Sequence, residues 1–173
     1  MKTLVKPSES SVVIADSSPL IALGISDLLC HFPVLLGEVW VPETVLNECL
    51  AKQGAPGFHE IQQAVNDRII FVHPDLPESV HQVQLLSRLL DPGEAQAIAL
   101  ADQYQAVLLI DEKAGRSTAK NMGIRVTGSL AVLLKAKRVG VIPSVKSVVE
   151  TLQHHKYRYS KTLIANVLAK ARE

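Results

Sequence analysis

The sequence is poor in the features that most readily assign a chain to a class. It has only two cysteines, Cys30 and Cys49, standing apart without a CxxC pair or a spaced ligand set. That argues against a disulfide framework or a structural zinc site and for a reducing, cytoplasmic setting, with both cysteines as small core hydrophobes. Its 6 histidines are scattered, and the neighbours His154 and His155 point different ways on a helix, which disfavours zinc again. An excess of one charge is missing too. Lys and Arg number 18 against 17 Asp and Glu, a formal net charge of +1, so a nucleic-acid role must rest on a local patch. Long uncharged apolar runs are also lacking. The most membrane-like stretch, residues 12–32, carries Asp16 and Asp27, and an Asp near a bilayer centre costs about 2.5 to 3.5 kcal/mol. It is not a span. The opening MKTLVKPSESS has no long apolar run and no small-residue cleavage pattern after it, so residues 1–10 read as a flexible arm before one domain, residues 11–173. Internal repeats and low-complexity segments are absent from the sequence.

What is present is enough apolar material, 47% of 173 residues, for one substantial core. SVVIA at 11–15 is a β-branched run suited to a buried parallel strand, and AVLLI at 106–110 is a second of that kind. VLLGEVWV suggests a strand near Val39 to Val41, RIIFV another at 68–72, and GIRV a short one. Between them lie helical stretches. In SSPLIALGISDLL, Ser18 takes the N-cap place and Pro19 the first helical position. Pro42 opens PETVLNECLAK, whose Val45, Leu46, Cys49 and Leu50 mark one face. ESVHQVQLLSRLL, PGEAQAIALADQY, GSLAVLLKAKRVG, PSVKSVVETLQHH and KTLIANVLAKARE are helical by period. Alternation of this kind predicts an α/β fold, a three-layer α/β/α sandwich with a central, mostly parallel sheet.

In such a fold every strand delivers its last residue to the carboxyl edge of the sheet, where ligands bind. Asp16 and Asp111 each follow a strand directly. Glu94 belongs to the first turn of the helix feeding the Asp111 strand, so it reaches the same edge. Glu48 lies one turn deeper, with a side chain long enough to reach up. Gathered acids repel one another and lose hydration, a conflict that a divalent cation removes. Mg²⁺ and Mn²⁺ prefer hard oxygen ligands and, with substrate phosphate completing the shell, suit phosphodiester hydrolysis.

The segments D16-S-S-P-L-I-A-L, V41-P-E-T-V-L-N-E48, L90-D-P-G-E94-A-Q-A-I-A-L-A, L108-L-I-D111-E and G128-S-L-A-V-L-L-K-A-K together resemble the PIN-domain family, across nearly the whole chain from Val12 onward. The resemblance implies a Mg²⁺- or Mn²⁺-dependent endoribonuclease acting on RNA, often the toxin of a toxin-antitoxin pair. It further implies a homodimer and a small antitoxin protein as partner. The family's four acids fall on Asp16, Glu48, Glu94 and Asp111 as catalytic residues, with Asp16, Glu94 and Asp111 as metal ligands. Its hydroxyl residue falls on Ser18, near metal or substrate. Two departures stand out: Glu94 is one methylene longer than the Asp common at that place, and Lys113 stands where another acid often lies.

Each candidate has a plainer reading beside it. Asp91, Pro92 and Glu94 fit a capping box, which assigns Asp91 to punctuation and leaves Glu94 as cap, ligand or both. Asp16 could be a turn residue favoured by a helix N-terminus, and Glu48 a solvated helix edge. Glu112, next to Asp111, reads as a bystander. Lys113 and Arg116 are candidates to hold phosphate, or plain surface charges. The run H154-H-K-Y-R-Y-S-K161 mixes base and aromatic as single-strand platforms do, or is a loop whose tyrosines pack inward. Two rival functions remain: a degenerate PIN fold that binds nucleic acid or protein without cutting, and a phosphotransferase with Asp16 as nucleophile. The latter lacks its DxDxT context, since Asp16 is followed by Ser17, Ser18, Pro19 and Leu20.

Overall fold

Five short strands run in parallel through the centre: β1 Val13–Ala15, β2 Val39–Pro42, β3 Ile70–His73, β4 Val107–Leu109 and β5 Val126–Thr127. The computed structural model describes residues 12–173; the expected N-terminal arm and Ser11 of the expected first strand lie outside them. The strand order is β3-β2-β1-β4-β5. Val13 pairs with Val39 on one side and Val107 on the other, so β1 is central. Val13, Ile14 and Ala15 are all buried, as a strand covered on both faces requires.

Ten α-helices connect and cover this sheet among the described residues. They are α1 Ser17–Ile25, α2 Phe32–Leu35, α3 Glu43–Cys49, α4 Phe58–Asn66, α5 His81–Leu86, α6 Pro92–Gln103, α7 Lys113–Asn121, α8 Ser129–Arg138, α9 Val145–His154 and α10 Lys161–Ala171. Parallel crossovers run right-handed, so connections toward β3 and connections toward β5 lie on opposite faces. The packing agrees: α1 touches α4 and α8, whereas α6 lies across β1, β2 and β4 with α5 and α7 beside it, and α3 meets both α1 and α6. The expected three-layer α/β/α sandwich is what forms. From Gly93 to Ala101 every residue of α6 is buried, which the small side chains of PGEAQAIALADQ permit. None of the described helices is, by itself, long and apolar enough to cross a membrane.

Several local expectations are corrected. The first helix begins at Ser17 with Asp16, not Ser18, at the N-cap, in extended backbone with φ −87° and ψ 165°. Pro19 therefore sits in the third position, still within the first turn, where an amide has no intrahelical acceptor to lose. Arg68 adopts a left-handed φ of 57°, which delays β3 to Ile70. Helices α2, α4 and α7 are additions to the helices expected from the sequence. Cys49 is buried but Cys30 is exposed, so only one of the two free cysteines serves the core.

One buried polar side chain stitches the α6 face together. Gln96 accepts from the Leu76 amide at 2.9 Å and donates to the Leu76 carbonyl at 3.0 Å, satisfying both groups of a loop that passes under the helix. Gln96→Ala strands that pair, and we expect it to lower stability by about 2 kcal/mol in urea unfolding, the cost of leaving buried backbone groups unpaired.

Candidate active site

The chain leaves β1 toward β2 on one side and returns through β4 on the other, so the strand order reverses between the carboxyl ends of β1 and β4. That switch point is where open α/β sheets form a ligand crevice. Asp16 stands there because its amide extends the ladder, donating to Leu109 O at 2.9 Å. Its side chain is buried, 2% exposed. Glu94 reaches the crevice from the first turn of α6, is likewise buried, and accepts a long 3.4 Å bond from Asp91 N that completes a capping box. Asp91 itself is exposed punctuation, and Glu94 combines the cap with a place in the crevice. Glu48, near the end of α3, accepts from Gly93 N at 3.0 Å.

Asp16, Glu48 and Glu94 form one electrostatic group. Burial pushes the Asp16 carboxyl up to about 7, and repulsion from Glu94 and Glu48 adds to it against the pull of the Ser17 and Ser18 amides. Burial is also the first cause that raises Glu94, helped by Asp91, Glu112 and Glu48. It raises Glu48 as well, partly offset by the Gly93 amide and the Ser17 hydroxyl. Glu112 thus bears on the site by charge, though it is exposed. The nearby Cys49 thiol is pushed up to about 12 by burial, with Asp16 and Glu48 adding to it, so it stays protonated.

Asp111 has different company. Its Oδ1 accepts from Ser129 N at 2.8 Å, and its Oδ2 accepts from Ser129 Oγ at 2.6 Å and lies 3.1 Å from the Tyr157 hydroxyl. Ser129 is the first residue of α8, so Asp111 caps that helix. Ser18 also meets Tyr157, whose hydroxyl is 2.5 Å from its Oγ and 2.6 Å from its carbonyl. Arg116 spends Nη1 on the carbonyls of Ile110 (2.6 Å) and Thr127 (3.0 Å), tying the exits of β4 and β5 together. Lys113, at the start of α7, is exposed. Both line a cleft of about 730 Å³ with Ser18, Asp111, Tyr157 and Tyr159.

Three glycines make room for these acids. A Cβ on Gly93 would lie 2.6 Å from Glu48 Oε1, one on Gly115 2.8 Å from Glu94 Oε1, and one on Gly128 2.8 Å from Asp111 Oδ1. A Cβ at any of the three would force the facing carboxylate to shift. These glycines, Ser129 and the two tyrosines are not among the expected site residues. Spacing does not reveal them, since each acts by proximity across elements distant in sequence.

Two oxygens decide what the crevice can hold. Asp16 Oδ1 and Glu94 Oε1 are buried without any hydrogen-bond partner. Among the described residues the one ion pair is Lys137–Glu173, so neither carboxylate has a protein cation. Nor do any three Asp, Glu, His or Cys side chains among the described residues gather tightly enough to share one ion. Asp16 and Glu94 therefore suit a cation that takes two carboxylates and fills its shell with water, as Mg²⁺ does. The expected third ligand, Asp111, is held by Ser129.

A parallel α/β/α sandwich whose switch point gathers acids, two of them with an unpartnered oxygen, is an arrangement suited to a hydrolase-type site. A family model described as PIN domain matches residues 12–173, and the chain belongs to that family. No curated protein matches it. PIN domains are commonly nucleases and generally use divalent metals.

The raised Asp16 carboxyl has a consequence for stability. In the unfolded chain it ionises near 3.8 and in the fold near 7, so between those values the unfolded state releases the proton first and stability falls as pH rises. Asp16→Asn removes that penalty. We expect its urea midpoint to exceed the wild type's at pH 8 without divalent metal, by an energy on the order of 4 kcal/mol at most, with the gap closing toward pH 4. Gly115→Ala gains about 1 kcal/mol of helix propensity, yet its Cβ must displace Ile110 Cδ1, 2.5 Å away, as well as Glu94 Oε1 at 2.8 Å. Calorimetry should find its Mn²⁺ affinity reduced about 10- to 100-fold, as for other supporting-shell changes.

Proposed function

We propose that the protein is a cytoplasmic, metal-dependent endoribonuclease, the toxin of a toxin-antitoxin pair, acting as a homodimer and restrained by a small antitoxin. The observation that carries this reading is the pair of buried, partnerless oxygens on Asp16 and Glu94 at the switch point. They would hold Mg²⁺ or Mn²⁺, which supplies an activated water and offsets charge growing on the scissile phosphate. Glu48, oriented by the Gly93 amide, adds negative charge that favours a bound cation over protonation of Asp16. Ser18 would face the substrate, and Asp111 would join through its remaining lone pairs or steer the attacking water. Lys113, exposed at the rim, and the part of the Arg116 guanidinium beyond Nη1 would hold RNA phosphates.

A second reading has its own support. With no three-ligand cluster among the described residues and with Asp111 bound to Ser129 and Tyr157, the fold also suits a binding module that does not cut. Mn²⁺ separates the two readings. For the nuclease we expect Mn²⁺ to raise the melting temperature of the wild type and to support cleavage of an oligoribonucleotide. Asp16→Asn should lose both responses while keeping its circular dichroism spectrum. Undiminished cleavage by that variant would sink the assignment.

A further inference from the structure

We propose that the seam between α8 and α10 is the binding track for single-stranded RNA, a cationic groove with an apolar floor that starts at Ser18 and Asp111 and leads away from the crevice. The inference rests on the nuclease reading for what happens to the RNA, and on the groove itself for how the RNA is held.

Two clefts run into one another along this seam. The first, of about 730 Å³, opens beside Ser18 and Asp111, and the second, of about 620 Å³, lies toward the last turns of α8 and α10. They share Ala131, Leu134 and Lys170, so together they make one groove. It follows α8 from Gly128 to Arg138, roughly 15 Å at the rise of an α-helix. Lys113, Arg116, Lys120, Arg158 and Lys170 line the inner part, and Lys135, Lys137, Arg138 and Arg172 are added in the outer part. These are half of the 18 Lys and Arg in a chain whose net charge is only +1. Among the described residues the acids lining either cleft are Asp111 and Glu112, both at the crevice end. Lys137 is neutralised by Glu173 at 2.5 Å, and among the described residues no other cation of the groove has an ion-pair partner.

Helix ends explain only part of this gathering. Lys135, Arg138 and Lys170 complement the negative ends of α8 and α10, as Lys120 does for α7. Lys113 does the opposite, standing in the first turn of α7, and Arg158 lies on no helix at all. On α7 the spacing of Lys113, Arg116 and Lys120 puts all three on one side. Helices α7, α8 and α10 and the loop before α10 thus turn like charges toward one seam, where they repel, and a polyanion relieves that repulsion.

The floor selects among polyanions. Ala131 is exposed, Leu134 half-buried and Leu163 45% exposed, so apolar surface lies open among the cations. A duplex keeps its bases stacked inside and offers that surface only sugar and phosphate. A single strand can lay base faces on it while its phosphates meet the cations. The groove also delivers its occupant to the acid-lined crevice, where a metal would act on a phosphodiester and an acidic polypeptide has nothing to react.

Fluorescence anisotropy of the full chain in EDTA, with a labelled oligouridylate of about ten residues as probe, measures binding apart from cleavage. Lys120 and Lys170 are both exposed, so their replacement leaves the core untouched. We expect Lys120→Ala combined with Lys170→Ala to weaken binding about tenfold and to flatten the slope of log affinity against log salt by roughly 1.4, at ~0.7 per single-strand phosphate. Lys52→Ala, the same loss of charge outside the groove, should change neither. Duplex RNA of equal length should compete about tenfold less well than the single strand. An unchanged slope in the double variant, or a duplex that competes equally, overturns the proposal. Equal competition by oligoglutamate also overturns it and assigns the groove to an acidic protein segment. A flattened slope with no cleavage by the wild type in Mn²⁺ supports the groove and removes the nuclease reading, whereas cleavage with KM unchanged in the double variant keeps that reading and removes the groove.

Discussion

The structure turns on carboxylates buried together at one sheet edge without a protein cation to balance them. Everything nearby can be understood as tolerating that arrangement. The Asp16 amide is locked into the β4 ladder, so the residue cannot swing out to water. Glu94 is anchored by the α6 capping box and Glu48 by an amide of the same helix turn. Helix N-termini of α1 and α6 converge on the crevice, and their partial positive ends ease the charge without neutralising it. A fold optimised only for stability would replace Asp16 with a neutral side chain of the same shape. Retaining it is intelligible when a ligand supplies the missing positive charge.

Two kinds of polar work divide the acids. Asp16 and Glu94 each keep an unpaired oxygen at the crevice. Asp111, which looks equivalent by position after a strand, is a helix cap for α8 and the anchor of a tyrosine-bearing turn. The same residue type at the same edge is thus left with an unpartnered oxygen in one place and caps a helix in another, and the difference is made by what the neighbouring chain brings up. Arg116 follows the same logic: a guanidinium suited to phosphate is engaged first by two carbonyls that hold β4 and β5 in register.

The legible parts of this molecule are those written in short-range pattern. Buried parallel strands announce themselves as apolar runs, as VVIA and VLLI do, and the acids placed directly after them follow from chain direction. The capping box of Asp91 and Glu94 is equally local. Helix α7, KAGRSTAKN, escapes such reading because only Gly115 and Ala119 are buried along it, which leaves no apolar period to detect. Helix α4 does carry such a period, in Phe58, Ile61 and Ala64, but it is short and the adjoining GAPG loop masks its start. The tyrosines at 157 and 159 fit either a platform or inward packing by pattern alone. Their actual role depends on contact of Tyr157 with Ser18, across most of the chain, and of Tyr159 with Ser129, which no local spacing encodes.

The three glycines beside the acids give the crevice a shape defined by absent atoms. Gly93, Gly115 and Gly128 come from the start of α6, the start of α7 and the cap of α8, yet each is hollowed against a different carboxylate. The crevice is therefore a mould as well as a set of charges. A chain could keep all four acids and lose the cast by gaining a single methyl, so an intact acid quartet in a related sequence says less about competence than the acids and their hydrogen-only neighbours taken together.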